Sequence, residues 1–109
     1  MFDYSATIAK VIDGDTVDLI VDLGFHVGVA IRTRLLGIDA PEVSTAEGKV
    51  ARDRLRTELP VGQAVTIHTE KDPGDKYGRW LAQISGPSGD VAQWMIGQGL
   101  AVAYFGGAR

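Results

Sequence analysis

Apolar residues alternate with polar ones through Val17, Leu19, Val21 and Leu23, with Asp18 and Asp22 on the opposite parity. That period of two predicts a strand with one buried face. The segment before it, Tyr4 to Ile12, suits an extended conformation and offers Ile8, Val11 and Ile12 to a core. Leu23-Gly24-Phe25 reads as a turn, after which a third strand is predicted from His26 to Ile38. Val27, Val29, Ile31, Thr33 and Leu35 share one parity of that strand. Arg32 and Arg34 share the other and therefore project from the same side.

The period changes at Ser44. Ser44-Thr45-Ala46-Glu47 has the spacing of a capping box, a hydroxyl followed three residues later by a carboxylate. Ala46, Val50, Ala51, Leu55 and Leu59 then recur at near-helical spacing, and Pro60 with Gly62 closes the run. Two further strands are predicted, Ala64 to Glu70 and Tyr77 to Ser85, with the turn-rich Asp72-Pro73-Gly74-Asp75 between them. Gly86-Pro87-Ser88-Gly89 is another turn. Asp90 and Gln93 then cap a short helix carrying Val91, Trp94 and Met95, closed near Gly97 or Gly99. Three strands, a helix, two strands and a short helix make a mainly β, α+β chain. The expected architecture is a five-stranded barrel of the OB type, with one helix between the third and fourth strands and a short helix near the C-terminus.

At 109 residues the chain fits a single domain, 1–109, and can bury roughly two-thirds of its unfolded surface. It has no cysteine, which excludes disulfides and thiolate zinc sites. No apolar run is long enough for a membrane span, and the first residues lack a signal-peptide pattern, so a cytoplasmic location is the default expectation. The net charge of -3 disfavours a protein that coats nucleic acid through many phosphates. It weighs less against an enzyme, which needs to grip only one or two.

Polar residues with no evident core role gather at three places: Ile12-Asp13-Gly14-Asp15-Thr16, Arg34 to Glu42, and Asp75-Lys76-Tyr77-Gly78-Arg79. The fragments IDGDT, RLLGIDAPE and DKYGR, followed by QGLA at Gln98 to Ala101, resemble the staphylococcal nuclease (thermonuclease) family in identity and order. The resemblance covers essentially the whole chain. It implies a calcium site made by the Asp15 and Asp39 carboxylates, the Ala40 carbonyl and water. It gives Glu42 the role of general base, or of orienting the attacking water, and makes Arg34 and Arg79 a clamp on the phosphate. Lys76, Tyr77 and Tyr104 fall where the family contacts the nucleotide, Tyr104 only across a gap in the match. The activity implied is calcium-dependent hydrolysis of DNA and RNA with little sequence preference, leaving 3′-phosphate ends.

The residue types agree with that chemistry. Two aspartates brought together repel unless a cation or proton separates them. Hard oxygen donors without cysteine suit calcium or magnesium. A phosphodiester gains negative charge towards its transition state, where fixed guanidinium groups act most strongly. Taken singly, each residue has a plainer explanation. Asp13-Gly14-Asp15 has hairpin-turn composition, strand arginines commonly sit in surface ion pairs, and Asp39 and Glu42 can simply solvate a loop. Asp13 is read as a turn or supporting residue, His26 and His68 as surface or structural, and Trp80 and Trp94 as core. Lys49, Arg52, Arg54 and Arg56, interleaved with Asp53 and Glu58, read as a solvated helix face.

The sequence departs from the family's secreted prototype in three ways. Ala40 replaces a threonine, the stretch from Glu42 to the helix is short, and larger members continue into a further helix beyond the position of Arg109. The first removes a hydroxyl near the site and the second bears on turnover or substrate preference. The third leads us to expect lower stability than larger relatives have, or a homodimer in place of a monomer. The rival functional reading is a catalytically silent module that binds nucleic acid or protein. Retention of Asp15, Arg34, Asp39, Glu42 and Arg79 favours the enzyme. Carbohydrate hydrolysis by paired carboxylates leaves both arginines unexplained.

Overall fold

A computed structural model describes residues 2–71 and 80–104. Its elements are β1 (Phe2–Asp13), β2 (Thr16–Asp22), β3 (Gly28–Leu35), β4 (Ile38–Asp39), α1 (Ala46–Glu58), β5 (Ala64–Lys71), β6 (Trp80–Gly86), β7 (Gly89–Asp90), α2 (Val91–Gly97) and β8 (Val102–Ala103). The main sheet runs β3-β2-β1-β5-β6-β7, and the end of β3 also pairs in parallel with β6. That last pairing joins Thr33, Arg34 and Leu35 to Trp80, Leu81 and Ala82, and so closes the five long strands into a barrel. The expected OB-type α+β barrel is the observed one.

The core is built by alternation. Val17, Leu19 and Val21 of β2, Val65 and Ile67 of β5, and Ala82 and Ile84 of β6 all point inward and are buried. In β1 the parity shifts: Ala6 and Ile8 are inside, then Val11, because the register with β2 slips between Ile8 and Lys10. This irregularity re-aims the far end of β1 towards the turn that follows. Thr33 is a buried polar residue on β3, and its hydroxyl donates to the carbonyl of Val17 at 2.8 Å. Ala51 and Leu55 of α1, Leu59 after it, and Val91 and Met95 of α2 close the barrel's remaining openings.

Four local expectations are corrected. The β2–β3 turn centres on Phe25 and His26, both at positive φ (55° and 62°), with the Val27 N–H donating to the Gly24 carbonyl at 2.9 Å. β3 accordingly starts at Gly28 rather than His26. Gly24, at φ 82°, makes three left-handed residues in succession, and the central pair, Phe25 and His26, has the positive φ of a type I′ turn, normally signalled by Asn or Gly; Phe and His gave no such signal. The N-cap of α1 is Thr45, not Ser44: Thr45 Oγ1 accepts from the Gly48 N–H at 3.0 Å. Ala46 and Val50 face solvent, because the buried stripe of α1 runs through Gly48, Ala51 and Leu55 at spacings of three and four. Trp80 is 37% exposed, because it sits where β6 enters the barrel beside Thr33, while Trp94 packs against the core from a partly buried position.

Other expectations hold. Asp90 caps α2 by accepting from the Ala92 N–H at 3.0 Å, and the helix ends at Gly97 with Gly99 at φ 72°. The basic face of α1 is partly neutralised and partly an anchor. Arg52 pairs with Asp53 at 2.9 Å, Arg54 donates to Gln98 Oε1 at 2.7 Å, and Arg56 donates to the Val11 carbonyl at 3.1 Å. His68 lies across the sheet from Asp3, Nδ1 to Oδ1 2.6 Å, in a surface pair. Among the described residues, no helix is long and apolar enough to cross a membrane.

Candidate active site

The site forms where the β1–β2 turn meets the segment leaving β3. In the turn, Asp13 Oδ1 accepts the N–H of Asp15 at 3.0 Å, fixing a tight bend through Gly14. Gly14 is needed for space: a Cβ there would sit 2.7 Å from the Ala40 Cβ and 3.0 Å from that of Ala51. The bend is thus wedged between the Asp39–Ala40 segment and α1.

Asp15, next in the chain, is only 7% exposed. Its Oδ2 accepts the Ala40 N–H at 3.0 Å and its Oδ1 accepts the Thr16 hydroxyl at 3.3 Å. Its carbonyl accepts the Leu35 N–H at 2.8 Å, which ties the turn to the end of β3. Burial, followed by the hydrogen bond and charge of neighbouring Asp15, pushes the Asp13 carboxyl above its ordinary value of 3.8. Negative charge is crowded here.

Arg34 lies on the closing segment of β3 and is 5% exposed. Arg32, two residues earlier on the same parity, is exposed and grips Asp18 through two bonds of 2.7 and 3.0 Å. The difference arises because the chain folds back over Arg34 after Gly37, which is at φ 88°. Arg34 Nη2 donates to the Ile38 carbonyl at 2.8 Å and lies 3.8 Å from Asp39 Oδ1. Its guanidinium sits over the Tyr104 ring, 5.1 Å from the centroid. Tyr104 is brought there by the two-residue pairing of β4 with β8 and by its own N–H, which donates to the Gly37 carbonyl at 2.8 Å. Among the described residues, Arg34 Nε is buried without a hydrogen-bond partner. A fixed guanidinium with a donor left over is suited to an anionic oxygen.

Glu42 follows Pro41 on the segment between β4 and α1, with its side chain exposed to solvent. Its carbonyl accepts from both the N–H (3.0 Å) and the hydroxyl (2.6 Å) of Thr45.

The donor set tests which cation would fit. Among the described residues, no three His, Cys, Asp or Glu side chains converge as a metal cluster. Asp15, tied to Ala40 by its hydrogen bond, and Asp39, next to Ala40 in the chain, are the carboxylates that would face such a cation, with the Ala40 carbonyl as a further oxygen donor. All are hard oxygen donors, and two carboxylates completed by a carbonyl and water suit a hydrated divalent cation of the calcium or magnesium type. The residues present fit such an ion.

The structure thus brings together Asp15, Arg34, Asp39, Ala40 and Tyr104, with Glu42 close behind in the chain. Lys76, Tyr77 and Arg79 lie outside the described residues. Sequence reasoning missed the supporting parts: the Thr16 hydroxyl, the Ile38 carbonyl and the space at Gly14. Only Gly14 left a signal, as the glycine between two aspartates.

Residues 32–108 match the family model described as staphylococcal nuclease homologue. The chain is 37% identical to the micrococcal nuclease of Shigella flexneri over 94% of its own length and 59% of that protein's. It is 34% identical to an uncharacterized endonuclease of Escherichia coli O157:H7, over 94% of the chain and 62% of the relative. The thermonuclease of Staphylococcus intermedius is 35% identical over 73% of the chain and 48% of the relative. The chain spans about 60% of the length of the first two. With most of its length inside the family model, the chain belongs to the staphylococcal nuclease homologue family.

Proposed function

We propose that this chain is a calcium-dependent nuclease that hydrolyses phosphodiester bonds in DNA and RNA with little sequence preference, leaving 3′-phosphate ends. The observation that carries the reading is Arg34: a guanidinium buried beside Asp39, fixed by Ile38 and Tyr104, with Nε free of partners among the described residues. Family membership and relatives named as nucleases support the same reaction class.

In this mechanism Asp15, Asp39 and the Ala40 carbonyl hold the cation, which when bound supplies positive charge to the phosphate oxygens. Arg34 donates to a non-bridging oxygen and meets the charge that builds there. Glu42 orients a water molecule and accepts its proton as the water oxygen bonds to phosphorus. The bond from phosphorus to the 5′ oxygen breaks, and that oxygen takes a proton from solvent. The phosphate stays on the 3′ side. Arg79 is assigned as the second clamp, and Lys76, Tyr77 and Tyr104 as nucleotide contacts, on the family's pattern.

The test is cleavage of single-stranded DNA and RNA with calcium and with chelator, followed by end-group analysis of the products. Wild-type protein is expected to cut only with the metal, and Arg34→Ala or Glu42→Ala to cut about 100 to 1,000 times more slowly. No cleavage by folded protein with any divalent ion would reject the enzyme. It would leave a nucleic-acid- or protein-binding module on the same barrel.

A further inference from the structure

Glu42 sits outside the barrel on an irregular segment, yet a general base must be held to about 0.5 Å of its working position. Two contacts with the start of α1 hold its backbone. Thr45 donates to the Glu42 carbonyl through its N–H at 3.0 Å and its hydroxyl at 2.6 Å. The same hydroxyl oxygen accepts the Gly48 N–H at 3.0 Å, so one side chain caps the helix and grips the loop.

The second contact is steric. A Cβ on Gly48 would overlap the carbonyl carbon and oxygen of Glu42 and lie 2.9 Å from the Pro41 carbonyl oxygen. Gly48 is an ordinary helical residue without positive φ. Torsion angles therefore give no reason for glycine, which is a poor helix former. Close approach of the Pro41–Glu42 backbone does. From this geometry we propose that Gly48 and Thr45 are positioning residues for Glu42, seating its backbone on the first turns of α1, while the carboxylates assigned to the metal stand elsewhere, Asp15 at the β1–β2 turn and Asp39 on β4. This rests on the reading of Glu42 as the general base.

In Gly48→Ala the Glu42 carbonyl must retreat by about 1 Å or more to reach van der Waals separation. A misplacement of that size costs about 100-fold in rate. Thr45→Val removes both hydroxyl bonds at nearly constant volume, whereas Thr45→Ser retains them.

The experiment compares these three variants, Glu42→Gln and the double variant Gly48→Ala/Glu42→Gln. Readouts are kcat and KM on single-stranded DNA, calcium affinity by calorimetry, and NMR amide shifts of the metal-free protein. For Gly48→Ala we expect kcat down about 100-fold, KM and calcium affinity unchanged, and amide shifts confined to residues 41–49. Thr45→Val should follow it in the same direction and Thr45→Ser should restore kcat, which keeps the test valid should Gly48→Ala fail to fold. The double variant should be no slower than Glu42→Gln, because Gly48 acts through Glu42. Losses that multiply in the double variant, a parallel fall in calcium affinity, or an unperturbed Glu42 amide would overturn the proposal. Cleavage absent from the wild type would sink the nuclease reading instead, and the NMR shifts would still decide whether Gly48 seats Glu42.

Discussion

Replacing Arg34 by methionine should separate stability from activity. The side chain keeps its bulk and loses its charge. Against the fold, the variant forfeits a charged hydrogen bond to the Ile38 carbonyl at 2.8 Å, worth about 1.5–3 kcal/mol. It also loses the contact with the Tyr104 ring, about 0.5–1 kcal/mol. The Asp39 pair at 3.8 Å, with its carboxylate 38% exposed, adds at most about 1 kcal/mol. In favour of the fold, removing a buried Nε that lacks a partner among the described residues recovers about 1–3 kcal/mol. The balance is a destabilisation of about 1–2 kcal/mol, which leaves most of an ordinary domain's stability in place.

Activity should respond differently. A donor aimed at charge that builds in the transition state is worth about 3–4 kcal/mol, a factor of about 100 to 1,000. Urea unfolding and single-stranded DNA cleavage with calcium, run on the same preparations, read the two quantities. A folded Arg34→Met protein that cleaves as fast as wild type would refute the clamp. Failure to fold would show that Arg34 is a structural keystone and that the orphaned Nε was misjudged.

Three further outcomes are expected. Calcium at about 100 times its dissociation constant should stabilise the protein by about 2.7 kcal/mol; a thermal shift that survives Asp15→Asn would move the ion elsewhere. Phe25→Asn with His26→Gly, which suits the type I′ turn, should gain about 1 kcal/mol or more and raise Tm by roughly 4–8 °C; an unchanged Tm would mean the turn carries no strain. The hydrogen bond from Arg52, then the charges of Arg52 and Arg56, hold the Asp53 carboxyl below its ordinary 3.8, so its contribution is present above that pH and disappears as pH falls through the folded value. Asp53→Asn should therefore be slightly less stable than wild type at neutral pH and indistinguishable in strong acid or high salt, a pattern that paired melting curves would check.

Much of the barrel was legible because alternation in β2, β5 and β6 survives intact in the sequence. β1 was harder to read, since its register slip makes Ile8 and Val11 core neighbours at odd spacing. The β2–β3 turn was legible through Gly24 but was centred too early, because Phe25 and His26 adopt a conformation their residue types do not advertise. Two adjacent hydroxyls, Ser44 and Thr45, offered rival caps, and the one reaching both Gly48 and Glu42 formed the cap. β4 and β8 are two residues each, too short to leave a period, yet their pairing carries Tyr104 to Arg34. Arg32 and Arg34 look alike in sequence; only the fold-back after Gly37 buries one and leaves the other in water.

The placement of Arg34 connects the barrel's closure to its chemistry. β3 pairs with β2 from Gly28 to Arg34, and Thr33 to Leu35 also pair with β6. Thr33 and Arg34 are thus paired on both sides, and the next residue, Leu35, donates to the carbonyl of Asp15. The guanidinium and the carboxylate are therefore fixed to each other by ladder bonds, before any ligand arrives. Glu42 has no such ladder and depends on Thr45 and the space at Gly48. Charge stabilisation gains from a site that need not reorganise, and the seam where the barrel closes offers that rigidity. The proton-accepting group stands on the segment joining the barrel to its helix, where a small change in α1 can retune it while the clamp stays in place.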